Sequence, residues 1–152
     1  MDRVKNLILG IDPGLSGAAA IISPNRSFIE VIVFSQSTPA DISMWFATYK
    51  RHLAMCYLEG VNAMPRQGVV SMFKFGMNYG LWQGLLIAHG IPFQRVYPLK
   101  WQTFLGCRTG GDKNISKARA QELFPSLKIT HATADALLIA EYGRRQSVDD
   151  SL

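Results

Sequence analysis

The chain has 152 residues, 48% of them hydrophobic, which is enough apolar material for one compact domain with a buried core. The net charge of +5 at pH 7 favours a polyanionic partner. Short apolar runs exclude a membrane-spanning helix, and the N-terminal residues lack the pattern of a secretory signal, so we expect a soluble protein. Two cysteines are too few for a disulfide framework or a zinc site, so a reducing cytoplasm is the expected compartment.

The first strands enclose an isolated acid. Two apolar, partly β-branched runs at 7–11 and 18–23 are separated by proline and glycine, which predicts a β-hairpin. A third run at 28–34 predicts another antiparallel strand. Asp12 stands alone between the first two runs. A buried carboxylate costs several kcal/mol unless it is paired, hydrogen-bonded or bound to a metal, so the pattern raises the question of which cation meets Asp12.

The middle of the chain alternates helix and strand. Apolar residues recur at helical spacing after Thr38-Pro39, and residues 54–59 predict a buried parallel strand that ends in a second carboxylate, Glu59. A long helix is predicted over about 71–89, with glycines at a four-residue period: Gly76, Gly80 and Gly84. Because glycine lowers helix propensity, we expect this face to approach the sheet or another subunit closely, and packing on the sheet is the commoner arrangement.

The last third of the chain is basic. A strand at 91–98, a short helix from Pro98, a helix over 115–124 with Ser116 as its cap and a final helix from Thr130 or His131 are predicted. The apolar stripe of the final helix comprises Ala134, Leu137, Leu138 and Tyr142. Between residues 94 and 128, lysine and arginine outnumber acids seven to two, which predicts a phosphate-binding surface.

The element order predicts an α/β fold, a mixed sheet flanked by helices. We expect one domain over residues 1–146 and a flexible C-terminal tail over 147–152.

Three acids stand in apolar surroundings: Asp12, Glu59 and Asp135. If the strands that end at Asp12 and Glu59 are parallel neighbours, the final helix can bring Asp135 to the same sheet edge. Three converging carboxylates need cations, and hard oxygen ligands favour Mg²⁺ or Mn²⁺. Beside a basic surface, such a cluster suits two-metal phosphodiester hydrolysis. His131 lies one helical turn before Asp135 and is a candidate metal ligand or general base.

Each of these residues also has a structural interpretation. Asp12 precedes Pro-Gly and is a common type of turn residue, and Glu59 can pair with Arg66 or Lys74. His131 can serve as the cap of the final helix.

Four stretches carry a resemblance to a known family. "ILGIDPGLSGAAAI", "YLEGV", "PLKWQTFLGCRTGGDKNISKARA" and "ATADALLIA" resemble, in order and spacing, the RuvC-like Holliday junction resolvases of the ribonuclease H-like superfamily. The segments "AMPRQGVVSMFKFG" and "LLIAEYGRR" are similar to phage and prophage versions, which implies the host cytoplasm as the compartment.

The resemblance implies a ribonuclease H-like fold with a five-stranded mixed sheet, three antiparallel strands followed by two parallel ones. It also implies a homodimer and nicking of branched DNA that depends on two Mg²⁺ ions per site, with Mn²⁺ as a substitute. Asp12 would bridge the ions, with Glu59 and Asp135 as further ligands. The basic residues expected to contact DNA are Arg66, Lys74, Lys100, Arg108, Lys113 and Lys117, of which Lys113 or Lys117 would face the scissile phosphate.

The chain departs from the family pattern at two places. The second acid of the final helix is replaced by Ala132, which leaves His131 as the substitute, about 100° away around the helix. The aromatic residue that opens the junction is replaced by Asn62, so Met64, Phe73 or Phe75 are the candidates for that role.

Two other function classes share some of these features. A catalytically weakened relative would bind branched DNA without cutting it. Actin-like and sugar-kinase-like ATPases also begin with a "DxGxSG" hairpin, here "DPGLSG", but they need a second such hairpin in a second domain.

Overall fold

The computed structural model describes residues 5–61, 66 and 68–149. Five strands form one mixed sheet: β1 (Leu7–Ile11), β2 (Ala18–Ile22), β3 (Ile29–Val33), β4 (Leu53–Glu59) and β5 (Phe93–Val96). Their order across the sheet is β3-β2-β1-β4-β5. The first three strands pair antiparallel, whereas β4 runs parallel to β1 and to β5. The predicted mixed sheet is therefore confirmed.

Five helices flank the sheet: α1 (Pro39–Tyr49), α2 (Val69–Ala88), α3 (Pro98–Phe104), α4 (Lys113–Leu123) and α5 (His131–Asp149). In the described part of the chain, none of them is both long and apolar enough to cross a membrane. α5 continues to Asp149, so residues 147–149, predicted as tail, are helical, and residues 150–152 lie outside the described residues.

The cap of α4 differs from the predicted one. Asp112 caps this helix, since its Oδ1 accepts a hydrogen bond from the backbone N–H of Asn114 at 2.9 Å. Ser116 is instead buried one turn inside the helix, where its hydroxyl donates a hydrogen bond to the carbonyl of Lys113 at 3.2 Å. The prediction of Ser116 as the cap is wrong because two capping residue types lie within one turn, and the earlier one starts the helix.

Both faces of the central strands are buried, which is the pattern of a sheet covered by helices on each side. Ile8 packs in the cluster on the α5 side, while its neighbour Leu9 packs on the α1 and α2 side. Gly10 lets α5 lie close to β1, because a Cβ at this position would be 2.3 Å from the backbone nitrogen of Ala140. This contact sets the depth of α5 against the sheet, and with it the position of the acid in its second turn, Asp135.

The glycine face of α2 does not pack on the sheet. A Cβ at Gly76, Gly80 or Gly84 would meet nothing within 4 Å. The buried face of α2 is carried instead by Asn78, Trp82 and Leu86. The prediction that these glycines allow close packing on the sheet is therefore wrong, and the glycine face is exposed.

Candidate active site

Three predicted acids meet at one edge of the sheet. Asp12 directly follows β1 and Glu59 is the last residue of β4; these strands are parallel neighbours with Ile11 opposite Leu58. α5 lies against β1 near the same edge and carries Asp135. The charge of Asp135 raises the pKa of both other acids, and Asp12 raises that of Glu59. The structure thus brings Asp12 and Asp135, which are more than a hundred residues apart in the sequence, to the same place as Glu59.

The three acids are short of positive charge. Burial raises the pKa of Asp12 from 3.8 to about 6. Burial, followed by the charge of Asp12, raises the pKa of Glu59 from 4.5 to about 8. The pKa of Asp135 is also raised, again mainly by burial. Glu59, with a pKa of about 8, keeps its proton at neutral pH, and a nearby cation would favour the ionised form of each of the three acids.

Hydrogen bonds from three different elements hold the acids. The backbone N–H of Gly14 donates to Asp12 Oδ1 at 3.1 Å, so the turn interpretation of Asp12 is also correct. The indole N–H of Trp101 on α3 donates to Glu59 Oε2 at 2.9 Å. Ser116 on α4 hydrogen-bonds Asp135, which lowers the pKa of that acid. Each acid is therefore oriented by a hydrogen bond.

Two further residues, Trp101 and Asn78, lie near the site and were not predicted from the sequence. Trp101 is fully buried, and its contact with Glu59 joins positions 42 residues apart, so no local pattern reports it. Asn78 on α2 donates from its side-chain amide to the carbonyl of Pro13, directly after Asp12. A single polar residue on the apolar face of α2, one turn before Trp82, was the signal that could have identified it.

Lys113 is the lysine that faces the acids. It is exposed at the start of α4, and its charge lowers the pKa of Asp12, Glu59 and Asp135. Lys117 lies one turn further along α4 and is half-buried. The remaining predicted contacts with DNA are exposed: Arg66, Lys74, Lys100 and Arg108. Within the described residues, Glu59 forms no ion pair with Arg66 or Lys74, so the pairing interpretation of Glu59 is wrong.

His131 is exposed at the first turn of α5 and close enough to Asp135 for its charge to lower the pKa of that acid. It does not cap the helix. The backbone N–H of Thr133 donates to Thr130 Oγ1 at 3.3 Å, which makes Thr130 the capping residue. Ala132, at the position of the missing acid, is half-buried and offers no ligand atom.

The donor atoms suit a hard divalent cation, although they are not assembled around one. Asp135 Oδ1 is buried without a hydrogen-bond partner among the described residues, which leaves an acceptor available. Carboxylate oxygens are the ligands that Mg²⁺ and Mn²⁺ prefer. In the same part of the chain, no group of three or more His, Cys, Asp or Glu side chains is arranged to hold a metal ion. The acids form an electrostatically coupled set rather than a closed metal cage.

The sequence resembles one curated protein in part of its length. No protein-family model matches the chain. A chloroplastic Holliday junction resolvase of Chlamydomonas reinhardtii is 33% identical over 92 residues, which cover 57% of this chain. The matched segment spans 10% of the length of that relative.

The fold resembles solved structures over nearly the whole chain. Thermus thermophilus RuvC in complex with a Holliday junction substrate superposes with a TM-score of 0.66 at 17% identity, covering 94% of this chain and 96% of RuvC. A second structure of Thermus thermophilus RuvC gives 0.65 at 18% identity, with coverages of 93% and 96%. The yeast mitochondrial Holliday junction resolvase gives 0.50 at 19% identity, with coverages of 97% and 83%. The chain therefore has the ribonuclease H-like fold of RuvC, and the predicted resemblance to RuvC-like resolvases is confirmed.

Proposed function

We propose that the protein is a structure-specific endodeoxyribonuclease that cuts Holliday junctions or related branched DNA by metal-dependent phosphodiester hydrolysis. The observation that carries this proposal is the meeting of Asp12, Glu59 and Asp135 at one edge of a RuvC fold, with their pKa values raised. The substrate class is supported by the RuvC structure in complex with a Holliday junction and by the resolvase that is similar in sequence.

The three acids are proposed to hold two Mg²⁺ ions, with Mn²⁺ as a substitute: Asp12 would bridge the ions, and Glu59 and Asp135 would be further ligands. When bound, such ions supply an activated water and stabilise the leaving oxygen of an in-line displacement. Each of the three acids interacts with the other two, which supports a shared site, and the resemblance implies Asp12 as the ligand common to both ions. Trp101 orients Glu59 from α3, and Ser116 orients Asp135 from α4. All three acids must be deprotonated to bind, so metal affinity rises with pH.

Lys113 is proposed to contact the scissile phosphate or the adjacent backbone. Its exposed ammonium lies near all three acids and supplies the positive charge that a phosphate needs beside carboxylates. Lys117, Arg66, Lys74, Lys100 and Arg108 are proposed as contacts further along the DNA. Since phosphate contacts release counterions, the affinity for DNA falls steeply with increasing salt.

His131 is proposed to replace the acid that is missing at Ala132, either as a ligand or as the base that takes a proton from water. Its proximity to Asp135 supports this role. We expect His131→Ala to reduce cleavage strongly and Ala132→Asp to restore cleavage in that background. If the double variant does not recover cleavage but still binds Mg²⁺ in calorimetry, His131 acts in proton transfer instead.

A homodimer through α2 is proposed from the exposed face of this helix. The face has apolar or glycine residues at alternating three- and four-residue spacing, the pattern of a helix-helix seam: Val70, Phe73, Met77, Gly80, Gly84 and Ile87. The glycines allow two helix backbones to approach closely. A dimer would present two sets of acids to the two strands of a junction that must be cut.

The dimer is tested by sedimentation of single variants. Met77 is 61% exposed on the α2 face and Met44 is 71% exposed on α1, so they form a matched pair. We expect Met77→Glu to produce monomers and Met44→Glu to leave the assembly unchanged. Equal behaviour of the two variants would exclude this face.

The proposed function is tested with a labelled four-way junction in Mg²⁺ or Mn²⁺. We expect the wild type to cut two strands and Asp12→Asn, Glu59→Gln and Asp135→Asn to lose cleavage while they still bind the junction. Glu122→Gln, which changes an exposed acid on α4, is the control. Absence of cleavage by the wild type with both metals refutes the nuclease. Equal cutting of linear duplex refutes the structure specificity.

A second candidate function is junction binding without catalysis. It is favoured by Ala132 at the place of an acid and by the absence, within the described residues, of an assembled metal cluster. It predicts a junction gel shift with no product in either metal.

A cytoplasmic location is proposed because Cys56 and Cys107 are both free and buried. The phage origin and the single domain over residues 1–146 stay predictions.

A further inference from the structure

The N-terminal part of α2 contains no buried residue. This part, residues 69–77, is here called the α2 arm. Its exposed large apolar side chains are Val69, Val70, Phe73 and Met77. The first buried residue of the helix is Asn78, and Trp82 follows one turn later. The helix therefore joins the packed domain at Asn78, and the arm lies outside the packed part of the helix.

Asn78 contacts the turn that carries Asp12. Its side-chain Nδ2 donates to the carbonyl of Pro13, which is 65 residues away in the sequence and directly follows Asp12. Because a carbonyl oxygen only accepts hydrogen bonds, the amide nitrogen of Asn78 must face it. Both residues are buried, so this contact is sheltered from solvent.

A single peptide group connects Asn78 to Asp12. The carbonyl of Pro13 and the N–H of Gly14 belong to the same planar unit, which is trans, so they point in opposite directions. Asn78 binds the oxygen of this unit, and the N–H donates to Asp12 Oδ1 at 3.1 Å. Hydrogen bonds in such a chain polarise one another. Asn78 therefore orients the donor that holds Asp12 and lowers the pKa of this acid.

Stability alone does not account for an amide at position 78. Asn78 is 4% exposed, and its Oδ1 is buried without a hydrogen-bond partner among the described residues. A buried acceptor without a partner is unfavourable, and an apolar side chain of the same size would not carry this cost. The contact of Asn78 with the Asp12 turn is the feature that an apolar residue could not supply.

We propose that Asn78 is a positioning residue for Asp12, and that it makes metal binding depend on what covers the α2 arm. The occupant of the arm is a second copy of this chain, because Val70, Phe73 and Met77 belong to the proposed helix-helix seam. The inference rests on the proposed function and adds to it a link between the dimer interface and the acids.

The link follows from the position of Asn78 at the base of the arm. In a dimer the arm is packed, so Asn78 is held against Pro13. In a monomer the arm has few packing contacts, and local opening of the helix start breaks the contact with Pro13 more often. Dimer formation therefore raises the affinity of the acids for metal ions.

Two candidates for opening the junction also lie in the α2 arm. Phe73 belongs to the proposed dimer seam. Phe75 is half-buried and stacks on Tyr79, with the ring centroids 6.4 Å apart. Asn62 and Met64 lie outside the described residues. The role of these residues in opening a junction stays a prediction.

The positioning role is tested in EDTA by the exchange of the Gly14 amide hydrogen, measured by NMR relative to that of Ile21 in β2. We expect Asn78→Leu to speed this exchange roughly 3- to 10-fold, the effect of losing one hydrogen bond. Leu86→Ala is the matched control, because Leu86 is buried on the same face of α2, two turns after Asn78. We expect it to leave the exchange ratio unchanged.

Mn²⁺ binding, measured by calorimetry without DNA, is the second readout. We expect Asn78→Leu to weaken it about 10-fold or more, as for other residues that orient a ligand, and Leu86→Ala to leave it unchanged. If Asn78→Leu leaves the Mn²⁺ affinity unchanged, or if both variants have equal effects, the positioning role is refuted while the proposed function stands. If the wild type binds Mn²⁺ but cuts no junction, and Asn78→Leu meets both expectations, the positioning role stands and the nuclease is refuted.

The link to the α2 arm is tested by Val70→Glu, two turns before Asn78. Val69→Glu is the matched control, because Val69 is equally apolar and 85% exposed but lies outside the seam. We expect Val70→Glu to produce monomers in sedimentation, to speed exchange at Gly14 and to weaken Mn²⁺ binding, and Val69→Glu to do none of these. Monomers with unchanged exchange and Mn²⁺ affinity refute the link. An unchanged assembly excludes a second copy from the arm and refutes the link as well.

Discussion

Two carboxylates on α5, the buried Glu141 and the half-buried Asp135, have opposite surroundings. Glu141 is fully buried and is held by Arg144 at 2.8 Å, Arg145 at 2.7 Å and Arg26 at 3.7 Å. Burial would raise the pKa of Glu141, but the hydrogen bonds from Arg144 and Arg145 outweigh it and lower the pKa. Six residues earlier, Asp135 faces Asp12 and Glu59, and its pKa is raised. One helix therefore carries one acid whose charge the chain neutralises and another that forms no ion pair among the described residues.

This difference in surroundings indicates that Glu141 belongs to a structural ion network and Asp135 to the candidate site. The charge of Glu141 is compensated by arginines of the same chain. One of them, Arg144, also donates a hydrogen bond to the carbonyl of Pro24, which connects α5 to the turn after β2. At Asp135 the hydrogen bond from Ser116 and the charges of Lys113 and His131 lower the pKa, but burial outweighs them. Strongly perturbed acids that the fold leaves uncompensated are characteristic of catalytic sites, since stability alone would favour pairing them.

The largest effect of a single substitution on stability is expected from removing the carboxylate that Arg26, Arg144 and Arg145 share. Glu141→Gln leaves three arginines without their shared carboxylate, so we expect the free energy of unfolding to fall by about 3–5 kcal/mol. Urea denaturation measures this change. Glu122→Gln removes the exposed partner of Arg119 and should cost less than about 1 kcal/mol. Equal costs for the two variants would show that Glu141 contributes no more than a surface ion pair.

The two regions should also respond oppositely to pH. In the folded, metal-free protein Glu59 keeps its proton up to about pH 8 and Asp12 up to about pH 6, whereas the unfolded chain releases both near pH 4. Because the folded state binds more protons in this window, raising the pH from 5 to 8 in EDTA should lower the free energy of unfolding by about 4–5 kcal/mol.

A Glu59 variant and added Mg²⁺ provide two further tests of the predicted dependence of stability on pH. Glu59→Gln should flatten the decline, and Mg²⁺ should stabilise the wild type more at pH 8 than at pH 5.5. Glu141 contributes the opposite slope, since its lowered pKa gives stability above about pH 4.5 that is lost on acidification. A metal-free protein whose stability rises from pH 5 to pH 8 would contradict the raised pKa values.

The smallest effect is expected from an orienting residue. Trp101→Phe removes the N–H that holds Glu59 and keeps most of the buried ring. We expect Mn²⁺ binding to weaken about 10-fold or more, measured by calorimetry without DNA. Trp82→Phe is the matched control, because its indole nitrogen is buried without a hydrogen-bond partner among the described residues. Equal loss of Mn²⁺ affinity in both variants would reduce the role of Trp101 to packing.

Much of this architecture was predictable from the sequence. Runs of alternating or continuous apolar residues located all five strands, and the stripe Ala134, Leu137, Leu138 and Tyr142 of α5 is buried as predicted. Asp12 and Glu59 were identifiable because each ends an apolar run, and Asp135 because it interrupts one. These signals are local, so the backbone period alone reports them.

Local patterns of residues were enough to locate the strands and helices, the three acids and the excess of basic residues. The packing of the whole chain was needed to see that Lys113 faces the acids, that the glycine face of α2 is exposed and that Trp101 holds Glu59. It also brought Asn78 to the turn after Asp12 and paired Glu141 with arginines that include Arg26. Periodicity tells which face of an element is buried, but it does not tell which partner covers that face. Partners 42 or 65 residues apart are chosen by packing of the whole chain.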